Sequence, residues 1–96
     1  MEKEKIKILK MATEKWGKNA QILMALEEMA ELSKELLKNM NRNSVNKNNI
    51  TEEMADVYIL LEQLKTIYGI LEDDINNIVE EKINKLEIKL KNNENI

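Results

Sequence analysis

Two short stretches of the sequence place acidic residues three positions apart among apolar ones. LEEMAEL contains Glu28 and Glu31, and TEEMADV contains Glu53 and Asp56. On a helix, the two carboxylates of such a pair project side by side. Carboxylate oxygens are the ligands that Mg²⁺ and Mn²⁺ prefer. The two stretches therefore predict a divalent metal site, provided that the helices carrying them pack against each other.

Helical periodicity turns these carboxylates toward the interior of the protein. In the third predicted helix, the apolar stripe of Val57, Leu60, Leu64 and Ile67 continues back by one turn to Asp56 and Glu53. In the second, a strip on one face consists of Met24, Glu28, Glu31 and Glu35. Antiparallel packing would bring four carboxylates together, and they would repel one another without a cation. EExxE phrases are also common on solvated helices, so a purely structural reading stays open here.

The composition predicts an all-α protein with a single domain over residues 1–91 and a frayed tail over residues 92–96. The chain has 96 residues, no proline and two glycines, and Leu, Ile, Glu, Lys and Met dominate. We expect a polar, asparagine-rich loop at 39–49, with Asn49 as the N-cap of the third helix. Four helices are predicted, at about Lys3–Trp16, Asn19–Met40, Asn49–Tyr68 and Glu72–Lys91.

Composition and charge exclude several classes of function. A net charge of −3, with lysines interleaved among glutamates, disfavours a nucleic-acid binder. No apolar run is long enough to span a membrane. Cysteine and histidine are absent, so there is no disulfide framework, and zinc is a poor candidate for the bound metal. No secretory signal pattern opens the sequence, and a cytoplasmic location is expected.

The two acidic motifs and their flanks resemble those of the MazG-like all-α nucleoside triphosphate pyrophosphohydrolases. The signature of that family is EExxE, a spacer and ExxD. Here it reads EEMAE from Glu27 to Glu31 and EMAD from Glu53 to Asp56, separated by 21 residues. The flanking segments WGKNAQILMALEEMAEL and ITEEMADVYILLEQLKTIYGI also resemble small phage and bacterial members. The likeness extends over roughly residues 16–86.

The resemblance implies a fold and a reaction. The fold would be a four-helix MazG-like bundle completed by dimerisation, as a homodimer or as a tetramer built from two dimers. The reaction would be Mg²⁺-dependent hydrolysis of a nucleotide between its α and β phosphates, giving a monophosphate and pyrophosphate, with Mn²⁺ as a substitute metal. The four residues at the matching positions, which would bind the metal and form the catalytic centre, are Glu28, Glu31, Glu53 and Asp56.

Further residues are candidates for binding the nucleotide. Lys38 and Arg42 follow the acidic strip on the second helix and resemble a Lys and Arg pair of the family. Lys82 and Lys85 lie on the fourth helix, and each of the four basic residues has a solvated position, the commoner case, as its structural alternative. Two more candidates, each with a structural alternative, are Trp16, which could stack on a base or pack in the core, and Gln21, which could line the pocket or be an exposed helix-start residue.

Two other interpretations stay open. One is a phosphoribosyl-ATP pyrophosphohydrolase-like enzyme, which usually carries a Tyr-His pair after the aspartate. This sequence has Tyr58 and Ile59 there and no histidine, which disfavours that reading. The other is a non-catalytic helical dimer that serves as an interaction module. Self-association is expected in either case, because the segment ILMAL is apolar nearly all round its helix and one four-helix chain could not cover it.

Overall fold

The computed structural model describes residues 1–92, which form four α-helices and no strand. The all-α prediction is confirmed. Residues 93–96, most of the predicted frayed tail, lie outside the described part. No helix within residues 1–92 has the length and apolar character needed to cross a membrane. The helices are α1 (Lys3–Trp16), α2 (Lys18–Met40), α3 (Lys47–Tyr68) and α4 (Glu72–Lys91).

An asparagine network fixes the turn between α2 and α3. Asn39 is buried near the end of α2, and its Nδ2 donates to the carbonyl oxygen of Glu35 at 2.7 Å and to Oε1 of Glu35 at 2.9 Å. Its Oδ1 accepts the backbone N–H of Asn46 at 2.7 Å. Oδ1 of Asn46 in turn accepts the N–H of Asn49 at 3.1 Å. The two helices are thereby locked as an antiparallel hairpin.

This network shows that the predicted N-cap at Asn49 was wrong. The cap is Asn46, and α3 begins at Lys47. The physical reason is that Asn39 holds the N–H of Asn46, which keeps Asn46 just outside the helix with its side chain free to cap the first turn. The irregular loop is consequently shorter than predicted and covers residues 41–46.

A buried glutamine attaches α1 to α3. Gln63 has 1% of its surface exposed, less than any other large side chain in the described residues. Its Nε2 donates to the carbonyl oxygen of Leu9 at 2.7 Å and also to the hydroxyl of Thr13. Because a side chain of α3 thus bonds to two groups of α1, α1 is held at a fixed height on α3.

Glycine and an ion cluster shape the junction of α3 with α4. Gly69 has φ +66°, a left-handed conformation that favours glycine, and ends α3 where the sequence predicted. Lys65 contacts Glu62 at 3.1 Å and also pairs with Glu72 at the start of α4. Leu71 cannot cap α4 with its side chain, and instead Asp74 accepts its backbone N–H at 3.3 Å.

The chain buries little apolar surface by itself. Among the described residues, only Ala25 and Leu60 are buried apolar side chains. Close packing joins α1, α2 and α3, whereas α4 makes almost no contact with them. The accessible surface is 8070 Å², against about 5,700 Å² for a folded monomer of this mass. The radius of gyration is 16.7 Å, against about 12.5 Å for a compact chain of this length.

Removing the side chain of Asn39 tests the role of the turn network. Asn39→Ala leaves the N–H of Asn46 and Oε1 of Glu35 without their partner, and we expect a loss of about 1–3 kcal/mol in the free energy of unfolding. Asn43→Ala, an exposed change in the same loop, is the matched control. Urea unfolding followed by circular dichroism measures both. Equal stability of the two variants would contradict the assigned role.

Candidate metal site

Three of the four predicted ligands converge between α2 and α3. One carboxylate oxygen from each of Glu28, Glu53 and Asp56 lies within 4.8 Å of the other two. Glu28 and Glu53 are half-buried, and Asp56 is exposed. The convergence follows from the hairpin, because the turn network sets which residue of α2 faces which residue of α3. The carboxylates project from the helix faces that pack against each other, so water fills the space between these carboxylates only in part.

The electrostatics of the cluster are those of like charges held together. Burial raises the pKa of the Glu28 carboxyl, and the charges of Asp56 and Glu53 raise it further, as does a hydrogen bond shared with Asp56. Burial also raises the pKa of Glu53, followed by the charges of Asp56 and Glu31. Both shifts express the same fact, which is that the fully ionised cluster is unfavourable without a cation.

The fourth predicted ligand lies close to the cluster but outside it. Glu31 is exposed, and its oxygens do not fall within the 4.8 Å group formed by the other three carboxylates. Its charge nevertheless contributes to the raised pKa values of Glu28 and Glu53, so it lies near both. Glu27, the first residue of the EEMAE motif, is exposed and is not part of this group.

No basic side chain neutralises the cluster within residues 1–92. The ion pairs of this part of the chain use other carboxylates, namely those of Glu2, Glu35, Glu62, Glu72 and Glu87. The cluster is also made of oxygen donors only, which suits a hard divalent cation such as Mg²⁺ or Mn²⁺. The donor set and the missing counter-charge therefore fit the metal that the sequence predicted.

The basic residues predicted to bind phosphates on α2 lie toward the turn. Nζ of Lys38 is exposed and is 4.0 Å from Oε2 of Glu35. Arg42 lies in the loop, where it lines an open cavity of about 520 Å³. It follows Glu28 by 14 positions, which corresponds to about 21 Å along a helix. Within one chain, the structure does not bring Arg42 next to the carboxylates.

The two basic residues predicted on the last helix also lie apart from the cluster. Lys82 and Lys85 are exposed on α4, which makes almost no contact with the helices that carry the carboxylates. Within a single chain, neither lysine contacts the carboxylate cluster on α2 and α3. They stay predictions.

The predicted base-binding residues share one cavity. A cavity of about 430 Å³ is lined by Trp16, Ala20, Gln21 and Met24. Gln21 is buried and its Nε2 points to Sδ of Met24 at 3.9 Å, so the exposed helix-start alternative is wrong. Trp16 is 60% exposed and is not part of the core of this chain. Met24 lies one helical turn before Glu28, so the cavity ends close to the carboxylates.

One residue of the acidic strip was not assigned a role by the sequence. Glu35 is buried, hydrogen-bonded to Asn39, and its charge contributes to the raised pKa of Glu53. The signal that could have revealed this role is the spacing of Glu35 and Asn39 by four residues, which allows a side-chain hydrogen bond along a helix. Glu35 links the turn to the cluster.

The raised pKa values predict a specific pH dependence. Because the folded state holds protons on Glu28 and Glu53 more tightly than the unfolded state, these groups lower stability as pH rises. This loss of stability begins near the ordinary carboxyl pKa and is complete above the raised pKa values of the folded protein. In metal-free buffer, we expect the free energy of unfolding of the wild type to fall more steeply with rising pH than that of Glu53→Gln. The relevant window runs from about pH 4.5, the ordinary carboxyl pKa, to neutrality.

Urea midpoints measured in EDTA at several pH values provide the test. Glu81→Gln, on the exposed α4, is the control and should keep the slope of the wild type. If Glu53→Gln and the wild type had parallel profiles, the carboxylates would not interact in the folded protein as described.

Comparison of the chain with protein-family models, with curated proteins and with solved structures gave no match.

Proposed function

We propose that this protein is a Mg²⁺-dependent nucleotide pyrophosphohydrolase of the MazG-like type, which converts a ribo- or deoxyribonucleoside triphosphate to the monophosphate and pyrophosphate. The observation that carries the proposal is the convergence of Glu28, Glu53 and Asp56 within 4.8 Å, with no basic partner among residues 1–92. Its second support is the resemblance of the two motifs that contain these carboxylates.

The carboxylates have two tasks in the proposed reaction. Glu28, Glu53 and Asp56 would hold the metal, and Glu31 would add negative charge beside them. Bound Mg²⁺ supplies charge for the phosphates and lowers the pKa of an attacking water. One carboxylate of the cluster, or a water that it holds, would accept the proton of that water. The sequence offers no Ser-His or Cys-His nucleophile and no P-loop, which favours direct attack by water.

The substrate is proposed to extend from the carboxylates toward the start of α2. The cavity lined by Trp16, Gln21 and Met24 lies one turn from Glu28 and offers an apolar wall and an amide. An exposed indole is a good stacking surface for a base. The phosphates would lie against the carboxylate cluster, with positive charge coming from Lys38, Arg42, Lys82 or Lys85.

The active unit is proposed to be at least a dimer, in which a second chain completes the four-helix bundle and supplies positive charge near the site. Two observations support this. The chain exposes roughly 2,400 Å² more surface than a folded monomer of its mass, and none of the four proposed phosphate-binding residues contacts the cluster within its own chain.

An interaction module without catalytic activity is the main alternative. The exposed apolar faces favour such a module as much as they favour a dimeric enzyme. A phosphoribosyl-ATP pyrophosphohydrolase remains disfavoured, because the histidine that accompanies its aspartate is missing. Metal-dependent turnover separates the enzyme from the module, since an interaction surface has no reason to depend on three converging carboxylates.

Divalent metal should stabilise the protein, because a cation removes the repulsion within the cluster. A ligand that binds only the folded state adds roughly 2.7 kcal/mol at a hundred times its Kd. Thermal melts in EDTA, Mg²⁺ and Mn²⁺ measure this for the wild type, for Asp56→Asn and for the control Lys89→Gln. The wild type and the control should gain stability and Asp56→Asn should not. Identical melting temperatures in all buffers would count against the site.

The products identify the reaction. Incubation of nucleoside triphosphates with Mg²⁺ and the protein, without added pyrophosphatase, should yield monophosphate and pyrophosphate on anion exchange. Attack at the γ-phosphorus would instead yield diphosphate and orthophosphate, which would refute the mechanism. Glu53→Gln should abolish turnover while the helical content is unchanged, and Lys89→Gln should retain it. Wild-type turnover in Glu53→Gln would show that the ligands are wrongly assigned.

A further inference from the structure

The helix α4 is attached to the rest of the described chain only through its first residues. Close packing joins α1, α2 and α3 to one another, whereas α4 makes almost no contact with any of them. The direction of α4 is therefore set at its junction with α3, which consists of the residues between the two helices. These residues are Gly69, Ile70 and Leu71.

Backbone hydrogen bonds fix both ends of this junction and leave one residue between them. The carbonyl oxygen of Lys65 accepts the N–H of Gly69 and, at 2.9 Å, the N–H of Ile70, so these two amides belong to the end of α3. The N–H of Leu71 donates to the Asp74 carboxylate, and the carbonyl oxygen of Leu71 accepts the N–H of Asp74 at 3.1 Å. Leu71 therefore belongs to the start of α4. The dihedral angles φ and ψ of Ile70 lie between the two bonded ends, which makes Ile70 suited to act as a hinge.

The side chains at the junction leave space around this hinge. Both Ile70 and Leu71 are exposed, so neither is part of a packed core. An open cavity of about 340 Å³ separates the junction from α1, where Ile6 and Lys10 line it. Apolar packing therefore contributes little to the direction of α4.

A lysine that is anchored on α3 supplies the contact that packing does not. Nζ of Lys65 lies 3.1 Å from both carboxylate oxygens of Glu62, one turn earlier on the same helix. Only 16% of the Lys65 side chain and 11% of the Glu62 side chain are exposed. The same ammonium group pairs with Glu72, the first residue of α4, whose side chain is 61% exposed. Lys65 thus places a charge across the hinge, and Glu62 holds that charge in position.

The pair of Lys65 and Glu72 is favourable for two reasons. Because Glu62 already orders the Lys65 side chain, pairing with Glu72 costs less conformational entropy than an ordinary pair of surface charges. The hydrogen bond between the two groups also lowers the pKa of the Glu72 carboxyl and raises the pKa of the Lys65 ammonium, so both are charged at neutral pH. An exposed ion pair shifts an equilibrium by up to about five-fold. That shift is sufficient to direct α4, since almost no other contact opposes a change in its direction.

We propose that Lys65 and Glu72 form an electrostatic latch, which holds α4 in one direction relative to α3 and which, when it opens, lets α4 turn about Ile70. Lys82 and Lys85 lie on α4, so the latch also sets where their positive charges are presented. The inference does not depend on the proposed hydrolysis.

Distances between two spin labels test the latch, because the chain has no native cysteine that would also be labelled. Nitroxides attached at Lys7→Cys on α1 and at Asn84→Cys on α4 occupy exposed positions. Double electron–electron resonance then reports the distribution of distances between the two helices. An excess of unlabelled wild-type protein ensures that the measured pairs lie within one chain. We expect one narrow distribution when the latch is intact.

Removal of either partner should release α4. In Glu72→Gln and in Lys65→Met we expect a second distance, whose population relative to the first rises by up to about five-fold. Lys65→Arg keeps a cation between the two carboxylates and should retain the narrow distribution. Asp73→Asn is the matched control, because it removes a charge from the same first turn of α4. Asp73 takes no part in the ion pairs of the described residues.

Salt gives a second readout that needs no substitution in the latch. Raising NaCl from about 0.1 M to 1 M shortens the Debye length from roughly 10 Å to 3 Å. The distribution of the protein with an intact latch should therefore broaden at high salt. The distribution of Glu72→Gln should not respond to salt, because its latch is already open.

Three results would overturn the proposal. Distributions for Glu72→Gln and Lys65→Met that match the intact protein, at unchanged helical content, would show that another contact holds α4. Equal broadening in Asp73→Asn would assign the effect to the end of the helix rather than to the ion pair. A broad distribution in the intact protein at low salt would show that the pair does not hold α4. None of these readings requires nucleotide turnover, so they are separate from a failure of the proposed reaction.

Discussion

Repulsion among three carboxyl groups is the constraint on which this structure depends. Glu28, Glu53 and Asp56 are held within 4.8 Å of one another by the packing of α2 on α3. The hairpin opposes this repulsion with the hydrogen bonds of Asn39 and Asn46, which fix the register of the two helices. Burial and then this repulsion raise the pKa values of Glu28 and Glu53. A cation between the helices would turn the same charges into a stabilising contact.

The same helix supports two different surfaces. One face of α2 presents carboxylates to α3, and another face presents the exposed apolar side chains of Leu23, Leu26, Leu37 and Met40 to solvent. Neither surface adds to the apolar core of a monomer, and the described chain buries only two apolar side chains, Ala25 and Leu60. Both surfaces are explained if α2 lies inside an assembly, in which a second chain covers exposed apolar side chains and the carboxylates bind the proposed metal.

Much of this architecture could be predicted from the sequence, because helix signals and acidic spacing are local. Helix boundaries differed by little except at the start of α3, and three of the four predicted ligands converge. The contacts that could not be predicted join distant residues. Gln63 reaches Leu9 across 54 positions, and a single polar residue on an apolar stripe gives no sign of its partner. The isolation of α4 was also not foreseen, since an amphipathic pattern indicates that a face will be covered but not by which chain.

The central claim is that Glu28, Glu53 and Asp56 bind a divalent cation, and the most direct measurement is a titration of the protein with Mn²⁺ followed by electron paramagnetic resonance of the free ion. The account predicts saturable binding that Mg²⁺ displaces, that Asp56→Asn largely removes and that Glu81→Gln leaves intact. It also predicts stronger binding as pH rises, because the raised pKa values of Glu28 and Glu53 make protons compete with the metal. A free-ion signal unaffected by the wild-type protein, or binding unchanged in Asp56→Asn, would contradict the account.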